Sequence, residues 1–109
     1  KNMTLWMKLF PRIDAVVAGN DNMALGAVQA LKAANRMDGV LVSGVDATDE
    51  AIKAIAAGDM SQTMKQDADS SAEGIFTVLQ TFLKGEKPSG NVVVPFIEIT
   101  KDNVAQFQQ

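Results

Sequence analysis

Short apolar runs alternate with helical stripes along the chain, and this alternation predicts strands that each lead into a helix. Two runs, 15–18 and 40–45, are continuous and typical of strands buried on both faces. A third run, 60–65, is half polar, which favours an edge strand or one near a domain junction. The strands start about 25 residues apart, which indicates parallel pairing through helical crossovers. We therefore expect an α/β fold of three layers, α/β/α, around a parallel Rossmann-like sheet.

Caps and apolar spacing predict the first three helices. Residues 1–10 have the pattern of an amphipathic helix that ends before Pro11. Asp21 is expected to cap the second helix, and Thr48 the third, which Gly58 ends in a left-handed conformation. The predicted buried face of the second helix consists of Met23, Ala27, Leu31 and Ala34.

The last third of the chain carries the most regular helical stripe. Ser70 and Glu73 have the spacing of a capping box at its start. A turn is expected over 86–90, then a strand over 91–100 that Pro95 interrupts, and a short helix over 100–107. The apolar residues of the stripe are Ala72, Ile75, Phe76, Leu79, Phe82 and Leu83. An exposed stripe of this size predicts that the helix packs on the chain's own strands or that two copies form a homodimer.

Composition is that of one small globular domain and excludes several classes of function. Of 109 residues, 47% are apolar and 21% charged. The net charge is -3 and the basic residues are scattered, which argues against binding to nucleic acid or to an anionic membrane, and we expect no membrane insertion. The chain has no cysteine and no histidine, so disulfides, thiolate chemistry and the usual zinc sites are excluded.

The sequence offers little for catalysis or for a cofactor. Serine and cysteine triads need a histidine, and neither a Walker lysine loop nor a G-x-G-x-x-G motif is present. We therefore expect no enzyme activity, no cofactor and no metal. Two aspartates acting as acid and base stay open as an alternative.

Three polar residues share one position in successive strand and helix units. Asn20, Asp46 and Gln66 each directly follow a predicted strand, and parallel pairing would bring them to one edge of the sheet, where α/β proteins bind ligands. Carboxylate and amide groups together offer the acceptors and donors that sugar hydroxyls require. The alternative is local: Asn20 turns the chain, Asp46 precedes a helix cap and Gln66 is simply exposed.

Four segments resemble the carboxyl-terminal part of periplasmic sugar-binding proteins of the ribose-binding type. They are AGNDNMALGA at 18–27, VSGVDAT at 42–48, AIAAG at 54–58 and TMKQD at 63–67. The resemblance implies one lobe of a protein in which two α/β lobes close around a monosaccharide and deliver it to an ABC transporter permease. It places the family's sugar-binding asparagine, aspartate and glutamine on Asn20, Asp46 and Gln66. It also implies a periplasmic location, or a lipid-anchored one in a Gram-positive source.

The resemblance further implies that the chain contains parts of both lobes. Residues 1–65 and 96–109 would belong to the carboxyl-terminal lobe, and 66–95 to the amino-terminal lobe. The family's chains are more than twice as long, and the rest carries the aromatic residues that stack on the sugar. Val45 stands where the family usually has an aromatic residue, and Trp6 on the first helix is more typical of a packing residue than of a ligand platform.

Two other classes of protein share parts of this pattern. The same lobes bind effectors in sugar-responsive transcription repressors, although 47–58 resembles the transport proteins more closely. A flavodoxin-like enzyme or phosphorelay domain would need an acidic cluster after the first strand and a lysine after a later one. Asn20, Asp21 and Lys65 match that requirement only in part.

Overall fold

The computed structural model describes residues 1–88 and 90–108. Its four strands form one sheet in the order β1-β2-β3-β4, with β1 parallel to β2 and β2 parallel to β3. The elements are α1 Asn2–Leu9, β1 Ala15–Val17, α2 Asp21–Ala33, β2 Leu41–Ser43, α3 Asp49–Ala57, β3 Gln62–Gln66, α4 Ala68–Leu83, β4 Phe96–Thr100 and a 3-10 helix, Val104–Gln106. The predicted α/β class and its parallel strands are confirmed.

The chain divides into two compact units. The first comprises 1–65 and 98–109, and the second comprises 66–97. That the second unit belongs to the amino-terminal lobe of a longer protein stays a prediction.

The core of the first unit forms around α2. This helix buries Asp21, Ala24, Ala27, Val28 and Leu31. The predicted face is therefore partly wrong, because Met23 is 61% exposed and Ala34 is also exposed. Ala24 and Val28 lie between the residues that the sequence singled out, so the buried stripe is rotated around the helix axis.

The predicted helix before Pro11 is confirmed as α1, and Arg36 ties its end to the loop after α2. The guanidinium of Arg36 donates hydrogen bonds to the carbonyls of Met7 at 2.6 Å, Phe10 at 3.0 Å and Pro11 at 2.8 Å. The last carbonyls of a helix lack partners within it. A single planar cation therefore satisfies one carbonyl in the last turn of α1 and two carbonyls directly after the helix, and it docks α1.

The first two strands are less buried than the sequence predicted. Val17 is 85% exposed and Leu41 is 62% exposed, whereas Val42 is fully buried. Alternate residues of a strand point to opposite faces, so only one face of β2 is covered. The expectation of burial on both faces is wrong, because a continuous apolar run cannot show which face has a neighbour.

The caps of the later helices differ in how well they were predicted. Thr48 caps α3 and Gly58 ends it at φ 85°, as expected. In the second unit the N-cap of α4 is Asp67, so the predicted capping box is wrong. Ser70 lies inside α4, where its hydroxyl donates to the Asp67 carboxylate.

The end of the chain is less regular than predicted. Residues 91–95 form no strand, and the expected terminal helix is reduced to three residues of 3-10 helix. The predicted turn over 86–90 includes residue 89, which lies outside the described residues. In the ranges 1–88 and 90–108, no helix combines the length and apolar character needed to cross a membrane.

Candidate functional site

Asn20 is the N-cap of α2, three residues after the end of β1. Its Oδ1 accepts a hydrogen bond from the backbone N–H of Met23 at 2.9 Å, which stabilises the first turn. The expected cap, Asp21, is therefore wrong by one residue. The cap also fixes the side-chain amide of Asn20. Within residues 1–88 and 90–108 its Nδ2 has no acceptor, so both of its N–H groups are available to a ligand.

Asp46 lies in the loop between β2 and α3, and its backbone is strained. It has φ 115° and Ala47 has φ 55°, both in the region that favours glycine. Such conformations cost about 1–3 kcal/mol each, and they persist only where the surrounding structure imposes them. The Asp46 side chain is exposed. Among residues 1–88 and 90–108, no group donates a hydrogen bond to its carboxylate. It presents two free acceptor oxygens.

The carboxyl group of Asp21 joins α2 to this loop from inside the protein. Asp21 is fully buried. Its Oδ2 accepts from the backbone N–H of Thr48 at 2.8 Å, and its Oδ1 accepts from the hydroxyl of Thr63 at 2.6 Å. The backbone N–H of Asp21 donates to the carbonyl of Val45 at 2.8 Å. One buried residue thus contacts the loop on both sides of Asp46.

Gly44 allows Asp21 to lie this close to the end of β2. A Cβ built on Gly44 would be 2.3 Å from Asp21 Oδ1 and 3.1 Å from its Cα. The same atom would be 3.2 Å from the Cβ of Ala24. Any side chain at this position would displace the carboxyl group or the start of α2.

The structure brings Asn20 and Asp46 to the same edge of the sheet. They follow β1 and β2, which run parallel with Ala15 opposite Leu41 and Val17 opposite Ser43. The hydrogen bond from Asp21 to Val45 links the residues next to them in sequence. An amide donor and a carboxylate acceptor therefore lie on the loops that follow two adjacent strands.

Gln66 is placed differently from the sequence prediction. It is the last residue of β3 rather than the residue after it, and it is the first residue of the second compact unit. Its side chain is exposed. Its convergence with the other two residues stays a prediction.

Sequence reasoning missed the roles of Asp21 and Thr63. Asp21 was interpreted as a cap, and Thr63 only as part of a polar strand. Thr63 is the one buried residue of β3, and a buried hydroxyl needs a hydrogen-bond partner. The half-polar sequence of this strand gave no signal of which residue is buried. Nothing local to Asp21 shows that its partner lies 42 residues away.

Acidic side chains are the candidate metal ligands of this chain, which has no histidine and no cysteine. Residues 1–88 and 90–108 contain no cluster of three or more acidic, histidine or cysteine side chains with the geometry to hold a metal ion.

Comparison with known proteins identifies the family. The periplasmic binding protein domain matches residues 1–87. A protein of Rhizobium meliloti named for rhizopine binding is 45% identical over 107 residues, which are 97% of this chain and 35% of the relative.

Two solved structures are similar in fold and in sequence. An ABC transporter solute binding protein from Bacillus halodurans C-125 with bound myo-inositol is 36% identical, with a TM-score of 0.80 over 98% of this chain and 37% of that one. A periplasmic ribose ABC transporter structure from Conexibacter woesei is 27% identical, with a TM-score of 0.85 over 97% of this chain and 36% of that one. The chain thus spans little more than a third of these proteins' length. With the family domain matched over most of its residues, the chain belongs to the periplasmic binding protein family.

Proposed function

We propose that this chain supplies one side of a binding site for a monosaccharide or a cyclic polyol in the substrate-binding component of an ABC transporter. The observation that carries the proposal is that the Asn20 N–H groups and the Asp46 carboxylate, neither of which has a partner among residues 1–88 and 90–108, lie on the loops after adjacent strands. Relatives that are named for rhizopine binding, contain myo-inositol or belong to ribose transport support this ligand class. All three are binding or transport proteins, which favours transport over the repressor alternative.

In this proposal the site binds and does not catalyse. Asn20 donates to a ligand oxygen, and Asp46 accepts from two neighbouring hydroxyls, so the pair selects vicinal hydroxyl groups. Gln66 is proposed as a third ligand-binding residue. The permease of the transporter is the proposed partner. The periplasm is the proposed location, and cell fractionation of the source organism tests this location.

Asp46→Ala is expected to weaken ligand binding by about ten- to a hundredfold, because hydrogen bonds to a charged group contribute about 1.5–3 kcal/mol. The measurement is calorimetry of the gene product that contains this chain, with D-ribose and myo-inositol as ligands. Asp38→Ala is the matched control, since it removes an exposed carboxylate before β2, at the opposite edge of the sheet. Equal affinity in Asp46→Ala and the unsubstituted protein would refute the assignment.

A homodimer of the 109-residue chain is a further proposal, and it concerns the second unit alone. Here α4 buries none of its residues, and Ile75, Phe76, Leu79, Phe82 and Leu83 are 52–80% exposed. Exposed apolar surface of this size favours association. Light scattering should give twice the monomer mass for the chain, and the monomer mass for Phe76→Glu with Phe82→Glu. A monomer at every concentration would exclude the dimer.

A further inference from the structure

The loop that carries Asp46 adopts a strained conformation that it cannot hold by itself. Two successive non-glycine residues, Asp46 and Ala47, have positive φ angles. Without outside contacts such a pair relaxes to the extended or right-handed helical region, and the direction of the Asp46 side chain changes with it. The contacts that impose this conformation therefore decide where the carboxylate points.

Three successive N–H groups of the loop each donate to a partner on another element. Asp46 donates to the Met64 carbonyl at 2.9 Å, and Ala47 to Thr63 Oγ1 at 3.2 Å. Thr48 donates to Asp21 Oδ2 at 2.8 Å. The first acceptor is backbone and is present whatever the sequence, but the other two are side chains.

The two side-chain acceptors also bind each other and are sealed from water. Asp21 and Thr63 both have no exposed surface, and the Thr63 hydroxyl donates to Asp21 Oδ1 at 2.6 Å. Each fixes the orientation of the other, because the carboxyl group has one oxygen for the hydroxyl and one for the Thr48 N–H. Buried, mutually satisfied groups of this kind impose one geometry rather than several.

We propose that Asp21 and Thr63 are positioning residues for ligand binding, and that they set the direction of the Asp46 carboxylate from beneath the loop. This proposal rests on the proposed function. Asp21 also follows Asn20 directly, so the same carboxyl group anchors the start of the helix that Asn20 caps. The amide donor and the carboxylate acceptor of the site thereby share one internal support.

A role in stability alone would have a different signature. Substitutions would then lower the thermal midpoint, but the folded protein would bind its ligand with unchanged affinity. A positioning role requires a loss of affinity at temperatures far below the midpoint, together with a local change at the loop. The amide hydrogens of Ala47 and Thr48 report that local change directly through hydrogen exchange.

Thr63→Val and Thr63→Ser form the decisive pair of variants. Valine has nearly the shape of threonine but lacks the hydroxyl, so it leaves the Ala47 N–H without an acceptor and Asp21 Oδ1 without its donor. Serine restores the hydroxyl. Val28→Ala is the control for a general loss of packing, since Val28 is buried two turns along α2 from Asp21. Amide exchange is measured on the 109-residue chain, and affinity for D-ribose and myo-inositol on the gene product that contains it.

The proposal expects Thr63→Val to speed exchange at Ala47 and Thr48 at least tenfold while amides of the core strands keep their rates. It also expects about a tenfold weaker affinity, restored by Thr63→Ser and unaffected by Val28→Ala. Unchanged amide exchange at Ala47 and Thr48 in Thr63→Val would overturn the proposal. Unchanged ligand affinity in Thr63→Val would also overturn it if Asp46→Ala does weaken binding. If the unsubstituted protein binds neither ligand, the proposed function fails, and the exchange rates alone decide whether Asp21 and Thr63 hold the loop.

Discussion

The 109-residue chain alone is expected to bind monosaccharides no more tightly than about 1 mM, the strength that about 4 kcal/mol represents. Asp46 is exposed and Asn20 is only half-buried, so water competes for every hydrogen bond that they offer a ligand. A site that closes from two sides would desolvate the sugar, and the chain spans little more than a third of its relatives' length. Calorimetry with pentoses, hexoses and myo-inositol measures the affinity.

The matched comparison uses a protein of the relatives' length that contains the same residues. We expect this longer protein to bind at least a hundredfold more tightly than the chain, with the same dependence on Asp46. Micromolar affinity in the 109-residue chain would contradict the expectation, and it would mean that residues of this chain complete the site.

Asp21→Ala is expected to lower the free energy of unfolding by about 2–6 kcal/mol. The substitution leaves the Thr48 N–H and the Thr63 hydroxyl buried without an acceptor, and each costs about 1–3 kcal/mol. Small domains are stable by about 5–15 kcal/mol in total, so the loss is a large fraction of the stability of the fold. Urea titration followed by circular dichroism measures it.

Asp14→Ala provides the control for loss of a carboxylate as such. Asp14 is exposed and forms an ion pair with Arg12 at 2.7 Å, a kind of surface contact that contributes about 1 kcal/mol or less. An Asp21→Ala variant as stable as Asp14→Ala would show that the buried hydrogen bonds contribute nothing to the fold.

Local chemistry made part of this fold predictable. Thr48 and Gly58 were identified as the ends of α3 because a hydroxyl that accepts from the first turn and a left-handed glycine act within a few residues. The apolar runs and the distance in sequence between their starts likewise predicted the parallel strands. Asn20 and Asp46 were placed at one edge because the carboxyl ends of neighbouring parallel strands meet there.

The errors concern choices that depend on distant residues. Asn20 and Asp21 are both suitable helix caps. Asn20 caps α2 because the Asp21 carboxyl group instead accepts hydrogen bonds from the Thr48 N–H and the Thr63 hydroxyl. Ser70 and Glu73 have the right spacing for a capping box, but α4 already begins at Ala68. The exposure of β1 could not be predicted from the sequence either, because an apolar run looks the same whether or not the second face of its strand is covered.

The contact between Gly44 and Asp21 restricts how this family can vary. A side chain at 44 and a carboxyl group at 21 cannot occupy the same space, so a change at one position is tolerated only with a change at the other. The two positions are 23 residues apart in sequence. Among homologues they should therefore substitute as a pair, and a member with a larger residue at 44 should have lost the acid at 21 and should support the loop at position 46 by other means.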